Sequence, residues 1–85
     1  MEIRTEIVRQ LFEEEGYPRD DSALFSSNVC YGGQGKPIIV VDESTYAQNT
    51  DWIIEDCENE GAHDLAYRIR KWVEQQQNTK KQNKY

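Results

Sequence analysis

Apolar side chains recur every three or four positions near the N-terminus of the chain. These positions are Ile3, Ile7, Val8, Leu11 and Phe12, and glutamates lie between them. Because this spacing places the apolar groups on one helix face, it predicts an amphipathic helix over residues 2–15. Gly16 suits the left-handed position that commonly follows a helix, and Pro18 prevents continuation. Residues 17–23 are therefore predicted to form a loop.

Two apolar stretches on either side of a glycine-rich segment predict a β-hairpin. The first stretch covers residues 24–31. The second contains four consecutive β-branched residues from Ile38 to Val41, and it predicts a strand over residues 37–42 that is buried on both faces. The glycine-rich residues 32–36 between the two stretches predict a turn longer than two residues.

The pattern becomes helical after position 44. Candidate N-cap residues, whose side chains can accept a bond from a free backbone amide, are Ser44, Asn49 and Thr50. The apolar spacing then permits one long helix through Gly61 or two helices broken there, since glycine costs about 1 kcal/mol relative to alanine inside a helix. The second segment has the clearer apolar stripe and predicts a helix over residues 62–77.

Together these elements predict a small single domain of the α+β class. The expected order is α-β-β-α(-α), in which an N-terminal helix and a C-terminal helical segment pack on a β-hairpin or small antiparallel sheet. A chain of 85 residues fits one domain. We assign residues 1–78 to this domain and residues 79–85 to a basic flexible tail.

Charge is sorted by position along the chain. Residues 1–66 contain 15 Asp and Glu against four Lys and Arg, whereas residues 67–85 contain six Lys and Arg against one Glu. Eight carboxylates and no Lys or Arg lie between Pro37 and Asp64. Such a surface repels nucleic acid and attracts basic partners.

The chain carries no sign of a membrane or secretory segment. No apolar run exceeds five residues, and the opening Met1-Glu2-Ile3-Arg4 lacks the shape of a signal peptide. A cytoplasmic location without a membrane partner is therefore expected. In a reducing compartment the two cysteines, Cys30 and Cys57, are expected to be free thiols.

No motif in the sequence predicts catalysis. The segment Gly32-Gly33-Gln34-Gly35-Lys36 lacks phosphate-loop spacing, and it leads into a strand rather than a helix. The side chains of Asp42, Glu43, His63 and Asp64 could meet in space, but no local ligand motif supports a metal site. The sequence therefore predicts a non-enzyme with no cofactor and no metal.

The opening of the chain resembles the first helix of N-terminal nuclease domains in type I restriction subunits. The residues that carry the resemblance are Val8-Arg9-Gln10-Leu11-Phe12, Gly16-Tyr17-Pro18 and Gly35-Lys36-Pro37, which cover under half of the chain. In that family the strand ends in a catalytic Glu-x-Lys pair. Here the strand is followed by Asp42-Glu43-Ser44, without a lysine, so the resemblance implies at most a degenerate or accessory nuclease-like domain.

The acidic character favours a small non-enzymatic binding protein. We expect an inhibitor or adaptor of the type carried by phages and mobile elements, which occludes the basic nucleic-acid-binding surface of a partner by mimicking nucleic acid. The candidate partner-binding residues are Tyr46, Asp51, Trp52, Glu55, Asp56, Glu58, Glu60 and Asp64, with Tyr67 as a further aromatic anchor.

The expected partner is a basic protein that handles nucleic acid, and no direct binding of nucleic acid is expected. A third hypothesis is a structural module that self-associates through the C-terminal apolar stripe of Leu65, Ile69, Trp72 and Val73. If the sheet covers that stripe, the chain is expected to be a monomer.

Overall fold

The computed structural model describes the backbone of residues 1–25 and 27–82, and the side chains of residues 1–20 and 27–78. In chain order the elements are β1 (Glu2–Arg4), α1 (Thr5–Glu14), β2 (Arg19–Phe25), β3 (Asn28–Gly33), β4 (Lys36–Asp42), β5 (Ala47–Asn49), α2 (Thr50–Asn59) and α3 (His63–Gln82). The strands form two antiparallel sheets, β1-β5 and β2-β3-β4. One N-terminal and two C-terminal helices accompany these sheets, which confirms the predicted α+β class.

The first helix begins later than its apolar spacing predicted. Residues 2–4 form β1 instead, because Ile3 pairs with Gln48 of β5. The Thr5 amide, the first of α1, also donates a 3.0 Å bond to the Tyr46 carbonyl. Ile3 is buried in this strand. An apolar residue at position 3 is therefore compatible with a strand as well as with a helix, and the spacing alone could not distinguish the two.

The end of α1 is the one that the sequence predicted. Gly16 has a φ of 87°, in the left-handed region. The Tyr17 amide donates to the Phe12 carbonyl over 2.8 Å, and the Gly16 amide donates to the Glu13 carbonyl over 3.1 Å. This pair of bonds is a Schellman motif, which satisfies carbonyls at the helix end and turns the chain toward β2.

The predicted loop and first strand are both wrong in their bounds. β2 starts at Arg19, inside the expected loop of residues 17–23, and a turn at Ser27 interrupts the expected strand of residues 24–31. The acidic start of β2 has low β-propensity, and its strand state depends on pairing with β3. The prediction at residue 26, and those at the side chains of residues 24 and 25, lie outside the described residues.

Strand β4 confirms the predicted extent but not the predicted burial. Ile39 and Val41 are buried, whereas Ile38 and Val40 are 57% and 53% exposed. The prediction of burial on both faces was wrong because the helices cover only one face of the three-stranded sheet. A glycine-rich turn does follow β3, but the predicted length of more than two residues was wrong. Gly33 pairs with Lys36, so only Gln34 and Gly35 lie between the strands, and their φ values of 54° and 91° allow a tight two-residue turn.

Gly61 separates two helices, which settles the alternative that the sequence left open. Its φ is 84°, and the flanking bonds repeat the motif at the end of α1: the Ala62 amide donates to the Cys57 carbonyl over 2.7 Å. α3 begins at His63 and continues to Gln82, past the predicted end at residue 77. Glutamine and lysine have good helix propensity, so the polar segment can extend the helix.

The core lies between the inner face of the β2-β3-β4 sheet and the three helices. Its buried members are Ile3, Val8, Leu11, Phe12, Tyr17, Val29, Tyr31, Ile39, Val41, Ile53, Cys57, Ala62, Leu65, Ala66 and Ile69. Phe12 is central, since its ring makes an edge contact with Tyr31 at a centroid distance of 4.8 Å. Trp72 packs against this core while remaining partly exposed.

Candidate partner-binding face

Helix α2 sorts its residues into a buried side and an acidic side. The Asn49 side chain caps the helix by accepting a 2.9 Å bond from the Asp51 amide. Ile53 and Cys57, four positions apart, face the core. Residues four apart lie one above the other on a helix. The same spacing therefore aligns Trp52, Asp56 and Glu60 in one exposed row, and Asp51 and Glu55 in another beside it.

A groove runs between the first of these rows and strand β4. One cavity of about 230 Å³ is lined by Trp52 and Asp56 from α2 and by Val40 and Asp42 from β4, among others. A second cavity of about 290 Å³ shares Val40 and Asp56 and continues along the strand. We call this surface the β4–α2 groove and define it by Ile38, Val40, Asp42, Trp52, Asp56 and Glu60.

The groove has an apolar floor and an acidic rim. Trp52 is 70% exposed and lines the first cavity with the exposed Val40, while the exposed Ile38 lines the second cavity. Clusters of exposed large apolar groups within a polar rim are typical of protein interaction sites. The rim here is acidic, with Asp42, Asp56 and Glu60, and no Lys or Arg from the described part of the chain lines either cavity.

Four of the predicted carboxylates on α2 remain open to solvent. Asp51, Glu55, Asp56 and Glu60 are exposed, and no ion pair to them is found within the described residues. Glu58 differs, because it forms an ion pair with Arg70 of α3. Its carboxylate therefore helps to join the two C-terminal helices and is less accessible to a partner.

Asp64 lies apart from the α2 carboxylates with which the sequence grouped it. It accepts a 2.7 Å bond from the Tyr17 hydroxyl and a 3.1 Å bond from Lys36. The Tyr17 bond, which outweighs partial burial, is the largest cause that holds the pKa of Asp64 below its ordinary value. The Lys36 ammonium also lies 5.1 Å from the centre of the Tyr17 ring. This carboxylate therefore joins the β3–β4 hairpin and α1 to the start of α3.

The two tyrosines predicted as anchors do not line the β4–α2 groove. Tyr46 is 94% exposed and borders a separate cavity of about 360 Å³ with Arg9 and Glu43. Tyr67 lies on α3, where the Lys71 ammonium is 5.4 Å from its ring centre. Of the predicted aromatic residues, Trp52 alone is placed beside the acidic row of α2 within the described part of the chain.

A second polar cluster, centred on Glu43, was not predicted from the sequence. The Glu43 carboxylate is only 10% exposed and accepts a 2.8 Å bond from Arg19. It also accepts a bond from the buried Tyr31 hydroxyl and lies 3.5 Å from Arg9. Burial, followed by this bond to Glu43, raises the pKa of Tyr31 to about 12. The partners come from three different elements, so no local motif could have indicated the cluster.

The residues considered for a metal site are not brought together. Asp42 accepts bonds of 2.9 Å from the Ser44 amide and the Ser27 hydroxyl, and these bonds lower its pKa. Glu43 faces the Arg19 cluster, and Asp64 faces Tyr17. Within the described residues, no group of three or more His, Cys, Asp or Glu side chains could hold a metal ion.

Both cysteines are free thiols, as predicted. Burial is the main cause that raises the pKa of Cys57 to about 12, and the charges of Asp56, Asp64 and Glu58 add to it. Such a thiol is mostly protonated at neutral pH and is a poor nucleophile. None of the helices, over their described lengths, is long and apolar enough to cross a membrane.

Comparison with known proteins gives no match. No family model fits the chain, and no curated protein or solved structure is significantly similar to it. The chain is a small α+β domain whose helix α2 carries an exposed face with acidic residues and a tryptophan.

Proposed function

We propose that this chain is a non-enzymatic binding protein that occludes the basic nucleic-acid-binding surface of a partner protein. The observation that carries the proposal is the exposed face of α2, where Asp51, Glu55, Asp56 and the C-terminal Glu60 lie in two rows with the exposed Trp52. An inhibitor or adaptor of the type found in phages and mobile elements would act in this way.

The arrangement of these carboxylates supports mimicry of a nucleic acid. A nucleic acid presents negative charges at regular intervals along a backbone, and duplex DNA carries about one charge per 1.7 Å of its axis. The two rows on α2 likewise present carboxylates at one-turn intervals on a helix whose other side is packed in the core. Because the helix is held in place, little ordering of its backbone would accompany binding.

Charge and Trp52 would have different roles in such a complex. Complementary charge mainly raises the rate of encounter with a basic partner, and it weakens as salt is added. An exposed tryptophan can contribute much of the binding energy once it is buried in an interface. The net charge of −6 also disfavours direct binding of nucleic acid by the chain itself.

Capture followed by competition tests this proposal. The chain is immobilised and used to capture proteins from a lysate of the source cells, in parallel with a variant carrying Glu55→Lys and Asp56→Lys. The matched control carries Glu13→Lys and Glu15→Lys at the end of α1, where cations favour the helix dipole. We expect the α2 variant to lose, and the control to keep, a partner that mass spectrometry identifies as a nucleic-acid-handling protein.

The captured partner is then purified and bound to DNA or RNA in a gel-shift experiment. Addition of the chain should release the nucleic acid, and higher salt should weaken that competition. Retention of nucleic acid by the chain alone would contradict the proposal and indicate the basic C-terminal segment as the functional surface. A captured partner that the chain binds without displacing nucleic acid would also contradict it.

A further inference from the structure

Strand β4 is an open edge of the three-stranded sheet. Within the described residues it pairs with β3 and with no other strand. An open edge presents backbone amides and carbonyls that can pair with another extended chain. Natural edge strands often carry charges or prolines that discourage such pairing. In β4 such residues stand only toward the ends, as Lys36, Pro37 and Asp42, and its middle presents the exposed apolar side chains of Ile38 and Val40.

The hydrogen bonds of the β3–β4 ladder identify which backbone groups face outward. The Glu43 amide donates a 2.9 Å bond to the Ser27 carbonyl, directly opposite in the register. In an antiparallel ladder, bonded and non-bonded pairs alternate along the strand. Val41 and Ile39 therefore bond to β3, and the amides and carbonyls of Val40 and Asp42 point to the open edge.

The β4–α2 groove lies beside this edge and shares its residues. Val40 and Asp42 line the first cavity together with Trp52 and Asp56. The edge thus supplies unpaired backbone groups, while Trp52 supplies an apolar surface and Asp56 a charge. Recognition of an extended peptide by strand addition uses the same three components: main-chain bonds for affinity, and side-chain pockets with charges for selectivity.

We infer that β4 accepts an extended, basic segment of a partner protein as an additional strand, with alternate side chains of that segment in the β4–α2 groove. Charge complementarity selects this occupant, because Asp42, Asp56 and Glu60 form the rim and none of the described Lys or Arg residues lines the cavities. A second copy of the chain would place an identical acidic rim against the first. The inference rests on the proposed function for the basic character of the partner, and on the ladder geometry for the mode of binding.

Synthetic peptides test the inference without a known partner. The probe is a short peptide in which lysine alternates with valine, and binding is measured by calorimetry. Two further peptides are N-methylated, one at every lysine and the other at every valine. In an extended strand the lysine amides face one edge and the valine amides face the other, so each peptide lacks the amide donors of one edge. Strand addition uses one edge only, so one methylated peptide should lose at least about tenfold in affinity while the other binds like the parent.

Variants of the protein test the location. The pair Asp56→Lys and Glu60→Lys should weaken binding of the lysine–valine peptide at least about tenfold. The equally charged control, Glu13→Lys with Glu15→Lys, should change it much less because those residues lie at the C-terminal end of α1 and do not line the groove. Trp52→Ala should also weaken binding without loss of fold, since the side chain is mostly exposed. Circular dichroism of each variant checks the fold.

Three other outcomes would overturn the inference. Equal affinity of all three peptides would show that charge attraction, and not backbone pairing, causes binding. Absence of binding by the unmethylated peptide would show that the groove does not bind such a segment. A dimer in sedimentation equilibrium that Trp52→Ala and Asp56→Lys dissociate would assign the groove to a second copy. If the peptide binds through one edge but the chain does not displace nucleic acid from its partner, strand addition is supported and the proposed function is rejected. If the chain displaces nucleic acid but peptide binding does not depend on the edge, the proposed function is supported and strand addition is rejected.

Discussion

Tyr17 donates a 2.7 Å hydrogen bond to Asp64, so the turn that ends α1 is bonded to the first turn of α3. The two residues are 47 positions apart in sequence. Tyr17 itself is buried, and its hydroxyl reaches a carboxylate at the surface. This bond fixes the relative position of two helices that the amphipathic patterns alone would only bring into contact.

We predict that Tyr17→Phe lowers the free energy of unfolding by about 1–2 kcal/mol, because bonds to charged groups contribute about 1.5–3 kcal/mol and the Asp64 side chain is half-exposed. Urea denaturation measures the change. Tyr46→Phe is the matched control and should have almost no effect, because Tyr46 is exposed and bonds to nothing in the described structure through its hydroxyl. Equal stability of the two variants would show that the Tyr17 bond contributes nothing.

The same variant should change the response to acid. The Tyr17 bond lowers the pKa of folded Asp64 below the ordinary aspartate value of about 4. Its contribution is therefore present above that ordinary value and is lost as pH falls through the lower folded value. In Tyr17→Phe, nuclear magnetic resonance titration should show the pKa of Asp64 closer to the ordinary value than in the parent.

At alkaline pH the buried Tyr31 should limit stability. Its folded pKa of about 12 exceeds the ordinary tyrosine value of about 10. The contribution of the neutral hydroxyl is present below about pH 10 and is lost as pH rises toward the folded value. We expect stability to fall over this window and Tyr31→Phe to make the fall shallower, as measured by urea denaturation at successive pH values. A parallel fall in both proteins would contradict this prediction.

Glu43→Gln should destabilise the fold more than the loss of a surface ion pair. It removes the counter-charge of Arg19 in a site where the carboxylate is only 10% exposed. Hydrogen bonds to charged groups contribute about 1.5–3 kcal/mol, and we expect a loss in that range. The control is Glu6→Gln, whose partner Arg4 is exposed, and it should cost under about 1 kcal/mol.

Gly61→Ala should destabilise the protein by about 1 kcal/mol because its φ of 84° disfavours a side chain. Apart from its immediate chain neighbours, no heavy atom of the described residues lies within 4 Å of the position that an added Cβ would occupy, so this loss would reflect backbone strain. Gly61→Asn should lose less, since asparagine tolerates this conformation better than alanine. Thermal unfolding of the two variants compares them, and an alanine variant as stable as the parent would argue for a continuous helix.

The nuclease-like alternative predicts metal binding at the end of β4, and we expect none. The Glu43 carboxylate is held by Arg19 and Tyr31, and Asp42 accepts bonds from Ser27 and Ser44. Calorimetric titration with Mn²⁺ should show no specific binding. Micromolar binding that Asp42→Ala abolishes, accompanied by DNA cleavage, would support the nuclease-like alternative over the binding protein.

The elements that the sequence predicted best are those with a regular spacing of apolar residues or with a residue that ends a helix. The apolar spacing indicated α1 and α3, and Gly16 marked a helix end because it can adopt a positive φ. β1 and β5 were missed because each has three residues, too few for an alternating pattern. β2 was missed because its acidic start resembles a loop and becomes a strand only through β3.

The candidate site was predictable in composition but not in geometry. The carboxylates of α2 and the nearby Trp52 could be grouped because they share one helix. The contribution of β4 could not be predicted, since its continuous apolar run suggested burial on both faces while Val40 is exposed. Tyr46 and Asp64 were grouped with α2 by sequence proximity, whereas tertiary contacts place them elsewhere.

The anchoring of Met1 has a consequence for the order in which the chain can fold. The Met1 carbonyl accepts bonds of 2.9 Å from both the amide and the hydroxyl of Thr50, across 49 positions of sequence. Closing so long a loop has a larger entropic cost than forming the adjacent β3–β4 hairpin. The hairpin can therefore form early as a local unit, while docking of β1 against β5 is a late event. On this order, the amide and hydroxyl of Thr50, the first residue of α2, gain their Met1 partner only in that later step.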